Sequence, residues 1–451
     1  MRTRGGDRTF FLLTLGCPKN EVDSDVIASL LLARGWEMAA GPEEAALILV
    51  NTCSFIVPAV RESVEAIMEL GGYKALGGKR LAVAGCLVSR YGEKTLRELL
   101  PEVDVFVAPH RYADFPALLE GVGEGGGTRP AARDFSSTLR KGYVYVKIAE
   151  GCDRRCSYCT IPSIRGPLRS RPLAEIREEA CHFLEKGAKE IILVAQDTTS
   201  YGRDLYGEPS LPALLEELLA LTGDYRLRVM YMHPAGVDEA VLASMQHPRM
   251  QPYLDLPLQH VDKGILRRMG RWGGREEYRK LLERIRESLP GAALRATFML
   301  GFPGEDERSF AALRAFIEEE RFDWLGLFGY SQEEGTAAYP LGAGCRPGTV
   351  ERRLEEIRAL QEEIMCENTG RMLGRKLLVL VEGESEEAPG FWEARSYREA
   401  PEIDGVIFLP ATEGLRAGSW CEVLVEATEG IDLIAAPLAQ RVDFRDNACG
   451  G

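Results

Sequence analysis

The sequence predicts an α/β protein in three parts, and three observations carry the prediction. Apolar runs that end at a cysteine and lead into helical patterns recur through residues 1–120. Strand-like and helical segments then alternate as about six βα units between residues 141 and 370. After residue 370 the texture turns to short β segments punctuated by turn residues. The first pattern reads as an open parallel sheet and the second as a closed or three-quarter (βα)6 barrel with a connecting helix. The third, over 371–451, reads as a small antiparallel β-barrel of OB-like type. A Gly-rich stretch, GVGEGGGTRPAARDFSSTLR (121–140), reads as a surface linker between the first two.

In the first part FFLLTLG ends at Cys17 and PKNEVDSDVIASLLLARG follows. ALILVNT ends at Cys53, before SFIVPAVRESVEAIMEL, and RLAVAG ends at Cys86, before LVSRYGEKTLRELL. A fourth run, VDVFVAP, carries no cysteine. Strands alternating with helices argue for a parallel sheet with right-handed crossovers. Each cysteine then lies just past the carboxyl end of a strand, the edge where open α/β sheets take ligands. If those strands are neighbours, three thiols distant in sequence meet at one crevice. The opening MRTRGGDRTFFLLTLGCPKN is basic and then apolar. Its apolar run is short and no small-residue cleavage site follows, so it reads as a first strand and not as a secretion signal.

The second part begins with YVYVKI, which alternates as a strand and runs into EGCDRRCSYCTIP (150–162). EIILVAQD, RLRVMYMHP, YLDLPLQH, LRATFMLGFPGE and FDWLGLFGYS continue the strands, with patterns such as IREEACHFLEKG and EEYRKLLERIRESL as helices between them. Such barrels place their chemistry at the carboxyl ends of the strands, where the loop after the first strand lies. VERRLEEIRALQEEIMCENTGRMLG is a charged amphipathic helix expected to pack back on the barrel. KLLVLVEG, WEARSYREAPEIDGVIFLP and SWCEVLVEATEGIDLIAAPL are the β segments of the third part.

The 451 residues carry a net charge of −14, and 45% are apolar. No run of about 18 apolar residues occurs, so no membrane span is expected. The acidic balance disfavours general nucleic-acid binding and suits a basic partner. Eleven cysteines in a long chain read as metal ligands, catalytic thiols or buried apolar residues of a cytoplasmic protein rather than as a disulfide framework.

Cys152, Cys156 and Cys159 fall within eight residues, and the nearest histidine is His182. A structural zinc site normally takes four protein ligands. A four-iron cluster held by three thiolates keeps one iron free to chelate a small molecule. A zinc loop, or a redox pair of Cys156 and Cys159, is the alternative. The C-x3-C-x2-C spacing, with Tyr158 before the last cysteine, resembles that of the radical S-adenosylmethionine (SAM) enzymes. The resemblance implies a [4Fe-4S] cluster on Cys152, Cys156 and Cys159 whose open iron holds SAM. It also implies a 5′-deoxyadenosyl radical that removes hydrogen from an unactivated C–H bond.

Cys17, Cys53 and Cys86, in the contexts LGCPKN, NTCSFI and AGCLV, are predicted to hold a second, auxiliary [4Fe-4S] cluster. Buried core cysteines are the alternative. The whole chain resembles the methylthiotransferases, in which a flavodoxin-like N-terminal domain, a radical-SAM barrel and a TRAM domain follow one another. That resemblance implies a transferase that uses SAM twice, once as methyl donor and once as radical source. It places the SAM amino group near Gln196 and Asp197, although the usual Gly-Gly-Glu is absent there. It places the adenine and ribose near Gly301, Phe302 and Pro303 of GFPGE. Tyr158, Gln259, His260, Tyr330 and Ser331 are further cofactor-binding candidates. Arg154, Arg155, Arg165, Arg169 and Arg171 crowd the cysteine loop, as partners of a carboxylate or of an electron donor. Cys181, Cys345, Cys366, Cys421 and Cys449 have no paired spacing and read as bland.

The family divides into members that modify tRNA adenosine and members that modify an aspartate β-carbon of ribosomal protein S-twelve. From Arg371 onward the chain has eight Lys and Arg against fifteen Asp and Glu, a net charge of −7. An RNA-gripping domain should be basic, whereas an acidic one suits a basic ribosomal protein. LGCPKNEVDSD, LVAQDTTSYGRDLYG and EAPEIDGVIFL resemble the protein-modifying branch. That branch implies the ribosomal protein as substrate, a reductase such as a flavodoxin as electron donor, and nucleic acid as no primary ligand. The alternatives are a tRNA methylthiotransferase and a non-catalytic, metal-binding ribosome-associated protein.

Overall fold

The computed structural model describes residues 8–74, 77–120, 133–412 and 414–438. The N-terminal sheet contains β1 (Thr9–Thr14), β2 (Glu37–Met38), β3 (Leu47–Thr52), β4 (Arg80–Gly85) and β5 (Val105–Val107). All pairings are parallel and the order is β2-β1-β3-β4-β5, the flavodoxin-like order. The three strands that lead to cysteines, β1, β3 and β4, are therefore neighbours. Central β3, LILVNT, is buried at every position, as a strand covered on both faces must be. Ile48 and Val50 pack toward Ile67 of α2 (Val57–Lys74). Leu47 and Leu49 pack toward Ile27 and Leu31 of α1 (Pro18–Leu32).

The central part holds β6 (Tyr143–Lys147), the short β7 (Ala149–Glu150) and β8 (Arg169–Ser170), then β9 (Glu190–Val194) and β10 (Arg226–Val229). It continues through β11 (Tyr253–Gln259), β12 (Ala293–Leu300) and β13 (Trp324–Gly329). The six long strands form two parallel halves, β6-β9-β10 and β11-β12-β13. The Met232 N–H, donating to the Asp255 carbonyl at 2.9 Å, ties the halves into one partial barrel. The predicted amphipathic helix, Pro347–Gly370, packs on β13 and β12. The last part closes as a barrel of β14 (Lys376–Glu384), β15 (Phe391–Arg395), β16 (Ile407–Pro410), β17 (Ser419–Glu429) and β18 (Asp432–Pro437), ordered β14-β15-β16-β18-β17.

Two sequence expectations change. WEARSYREAPEIDGVIFLP does hold short β segments, but its middle is more than a turn: it leaves the small barrel and plugs the amino-end floor of the large one. Arg228 and Glu190, both fully buried, form an ion pair at 2.7 Å. Arg228 also donates to the carbonyls of Ser396 and Tyr397, and Arg395 pairs with Glu190 at 2.8 Å. The Tyr253 hydroxyl donates to Asp404 at 2.6 Å. These polar groups satisfy one another away from water, which is why charged residues survive in the middle of the segment. Residues 133–140 of the expected surface linker are a strut. Arg133, 4% exposed, donates to Asp25 and to the Tyr145 carbonyl, each at 2.7 Å, and lies 3.1 Å from Glu179. Residues 121–132 and Cys449 lie outside the described residues. With its floor plugged, the barrel presents its carboxyl ends to the N-terminal sheet, and α1 seals the side by packing Val22 against Tyr143 and Tyr145.

Candidate functional site: two cysteine triads across one interface

Cys17 caps α1, Cys53 follows β3, and Cys86 opens α3 (Cys86–Tyr91). Gly16 has φ +101°, and a Cβ there would lie 2.8 Å from the Cβ of Cys53, so only glycine lets these two loops approach. The Asn20 side-chain amide ties the same loops by donating to the carbonyls of Leu15 (2.7 Å) and Thr52 (3.1 Å). Burial pushes the Cys86 thiol up to about 12; Cys53 and Cys17 add to the rise and Arg165 opposes it. Burial raises Cys53 as well, with Cys17 again a contributor. The sheet therefore brings the three thiols within electrostatic reach of one another. Thiols held this high ionise as ligands only where a cation compensates, as iron does.

The second triad sits on one loop, closed at its base by the antiparallel pair β7–β8. Gly151 has φ +75°, and a Cβ there would meet the Pro167 carbonyl oxygen at 2.1 Å. The Cys152 N–H donates to the Gly166 carbonyl at 3.1 Å, and Ser157 N–H to Met269 at 2.8 Å. Burial raises Cys152 to about 11 and Cys159 to about 12. Arg271 approaches Cys156 Sγ at 3.7 Å. Among the described residues no three His, Cys, Asp or Glu side chains close as the ligands of a single ion do. A multi-iron cluster spreads its thiolates wider than one ion, and two all-thiol triads suit that donor chemistry.

The triads face a common interface. The Thr160 hydroxyl, just after Cys159, donates to the carbonyl of Phe55, just after Cys53, at 2.9 Å. Arg165, from the radical loop, reaches Cys86 Sγ at 3.1 and 3.3 Å, Asn20 Oδ1 at 2.7 Å and Asp23 at 2.6 Å. Glu333 accepts from the Val57 N–H at 2.8 Å and pairs with Arg90 at 2.6 Å.

The cofactor candidates divide. Phe302 is fully buried, edge-on to Tyr158 (6.5 Å) and to Tyr330 (5.1 Å), with Gly301 and Pro303 buried beside it. Gln196 donates to Glu150 at 2.8 Å. Burial alone would raise Glu150, but Lys147 and Arg165 outweigh it and hold the carboxyl at about 2. Gln196 Oε1 and Gln259 Oε1 are enclosed without a hydrogen-bond partner, so two candidate side chains keep polar capacity that a polar cofactor would use, whereas His260 Nε2 faces the buried Glu305 carboxylate at 3.6 Å. Asp197 is occupied by Arg154 (2.8 Å), Thr199 and Ser200. Ser331 turns to Glu333 and belongs to the interface clamp. Of the five arginines, Arg154 and Arg165 are engaged as described, Arg171 pairs with Glu179 at 2.5 Å, and Arg155 and Arg169 are exposed. Two residues escaped sequence reasoning. Lys19 is buried behind Cys17. His233 lies beyond the carboxyl end of β10, where burial, then Arg271 and Arg154, lower it to about 3 and keep the imidazole neutral. Its only sequence signal was a strand-end position like that of His260.

The fold and the two triads define the radical-SAM class, and family models agree along the chain. Residues 9–108 match the Uncharacterized protein family UPF0004, 146–317 the Radical SAM superfamily and 373–438 the TRAM domain. Among solved structures, the radical S-adenosylmethionine methyltransferase TsrM from Kitasatospora setae, with cobalamin and a [4Fe-4S] cluster bound, superposes with a TM-score of 0.55. That match has 14% identity and covers 86% of this chain and 80% of TsrM. The ribosomal protein uS12 methylthiotransferase RimO of Carboxydothermus hydrogenoformans is 40% identical over 94% of this chain and 98% of its own length. Those of Thermotoga maritima and Aquifex aeolicus are each 41% identical, over 93% and 94% of this chain and 97% and 95% of their own. The chain belongs to the family of the ribosomal protein uS12 methylthiotransferases RimO. No helix among the described residues is long and apolar enough to cross a membrane.

Proposed function

We propose that the chain is a radical-SAM methylthiotransferase that adds a methylthio group to the β-carbon of an aspartate in ribosomal protein uS12. The observation that carries the reading is the interface itself: Arg165 and Thr160 of the radical loop touch the auxiliary triad's own loops. That contact supports a reaction in which one substrate carbon is reached from both triads. We assign Cys152, Cys156 and Cys159 to the radical-generating cluster and Cys17, Cys53 and Cys86 to the auxiliary cluster. The bound groups supply the radical, the sulfur and the methyl group, and the chain orients them and excludes water. Gln196 and Gln259, with their unpartnered polar atoms, His260 beside them, and the edge-on Tyr158–Phe302–Tyr330 cluster are the proposed SAM contacts.

The relatives' name supports uS12 as substrate, and so does the surface of the TRAM domain. Arg395 and Arg398 are buried, which leaves Arg371, Arg375, Lys376 and Arg416 as its exposed cations among the described residues, against exposed Glu384, Glu386, Glu387, Glu422, Glu426 and Glu429. That face complements a basic protein better than a phosphate backbone. We place the three domains at 1–120, 141–370 and 371–451, and the protein in the cytoplasm beside its ribosomal substrate. A low-potential reductase such as a flavodoxin supplies the electron, with exposed Arg155 and Arg169 suited to an acidic donor. The test offers the reconstituted protein SAM, reductant, and either uS12 or an anticodon stem-loop, and reads both by mass spectrometry. A methylthio gain on uS12 alone is expected. A gain on the RNA would overturn the substrate assignment.

A further inference from the structure

Lys19 lies at the meeting point of the two halves of the site. It is 8% exposed, two residues beyond Cys17 on the first turn of α1. Its Nζ stands 3.3 Å from the centroid of the Tyr231 ring. Among the described residues it has neither an ion pair nor a hydrogen bond. Asp255 is a carboxylate within its electrostatic reach, but it is already served. It accepts from the Tyr231 N–H at 3.0 Å and lies 3.9 Å from Arg295. The ammonium faces an aromatic ring and no anion among the described residues, so its charge is free to pair with one that arrives.

Tyr231 is itself held in an unusual shape. It has φ +59°, a left-handed conformation that a bulky residue adopts at a cost. Asp255 fixes its N–H, and the N–H of Thr198, one residue beyond Asp197, holds its carbonyl at 3.1 Å. The strained residue thus touches both Lys19 of the N-terminal domain and the β9 loop that carries Gln196 and Asp197. The Tyr231 hydroxyl is raised by burial first and by Cys17 next, so that thiol lies within electrostatic reach of it.

We propose that Lys19 is the specificity-determining residue for the substrate, binding the carboxylate of the target aspartate while its β-carbon faces both triads. This rests on the functional reading above. The β-carbon is one bond from the carboxylate, so a cation beside Cys17 that also reaches the barrel interior can hold the carboxylate without displacing the carbon from the reaction site. A charge-assisted hydrogen bond from a buried ammonium favours aspartate over asparagine, its neutral isostere. Tyr231 keeps the lysine chain in place between substrates.

The test compares uS12 with its variant bearing asparagine at the modified position. Equilibrium binding and methylthiolation are measured for the reconstituted wild type, Lys19→Met and Lys19→Arg, with iron content as a check on both clusters. Wild type is expected to prefer the aspartate form by about tenfold or more, the scale of one charge-assisted bond. Lys19→Met is expected to bind both forms alike, and Lys19→Arg to restore the preference. A Lys19→Met protein that keeps the wild-type preference overturns the inference, even if the midpoint potential of its auxiliary cluster moves, because the lysine would then only balance cluster charge. If the wild type modifies neither form of uS12, the functional reading fails, and the inference falls with it.

Discussion

Cys152, Cys156 and Cys159 share one loop that is closed by its own backbone, through β7–β8 and the Cys152–Gly166 bond. Cys17, Cys53 and Cys86 ride on three loops of a sheet and are locked by side chains, chiefly Asn20 and Arg165. Both arrangements present three thiols, but they distribute the burden differently. The radical loop depends mainly on its own backbone, one glycine and barrel residues such as Met269. The auxiliary triad depends on the register of three strands and on a guanidinium lent by another domain. The radical loop should therefore be robust to changes in the N-terminal domain, while the auxiliary triad should answer to changes in both.

The sharpest way to break the comparison is to remove one thiol from each side. Cys156→Ala should abolish 5′-deoxyadenosine formation. Cys86→Ala should abolish methylthio transfer while SAM cleavage persists, and each variant should hold about four irons in place of about eight. Chromatography of the nucleoside and an iron assay read both. If Cys86→Ala lost SAM cleavage as well, the triads would not be separable.

Next in size is Arg165→Ala. It removes the guanidinium from Asp23, Asn20 and Cys86, leaving Asp23, only 2% exposed, with Lys147 as its remaining cation. Breaking a buried ion pair costs about 3–5 kcal/mol. The thermal midpoint should fall, and the auxiliary cluster should be lost first in a chelator time course. Equal loss from both clusters would contradict the asymmetry.

Glu333→Gln should act more mildly. It keeps the shape of the clamp but replaces the buried charge opposite Arg90, at a cost of about 1–3 kcal/mol. Easier proteolytic separation of the N-terminal domain, with the radical cluster intact, is the expected readout.

The smallest effect concerns pH. His233 is held near 3 in the fold against an ordinary 6.5, by burial first and then by Arg271 and Arg154. A depressed folded value means the stability it contributes is full above 6.5 and drains as pH falls toward 3. Between pH 7.5 and 5.5 the wild type should therefore lose about 1 kcal/mol more than His233→Gln, measured by denaturant midpoints at the two pH values.

Much of this architecture is visible in the residues alone. The three cysteines at strand ends place the auxiliary triad, since parallel neighbours must bring those ends together. The tight spacing from Cys152 to Cys159 places the radical loop without any tertiary information. What escapes is long-range and polar. Arg165 looks like one of five loop arginines until the fold sets it 79 residues from its partner Cys86. The plug over 396–406 reads only as a turn between two β segments, and nothing local shows that Arg228, more than 160 residues away, takes up its carbonyls. Lys19 reads as a surface charge on the first turn of a helix, and only the docking of α1 on the barrel buries it. Pattern reveals elements, but not which distant side chain completes a buried charge.

The central claim is that both triads serve one reaction at one place. Electron paramagnetic resonance of the reduced holoprotein tests it, set against Cys17→Ala and Cys156→Ala, each carrying a single cluster. Two clusters across the Arg165 interface should couple, so the holoprotein spectrum should be broadened and differ from the sum of the two variants. A spectrum equal to that sum would place the clusters too far apart to share a substrate carbon, and would contradict the account.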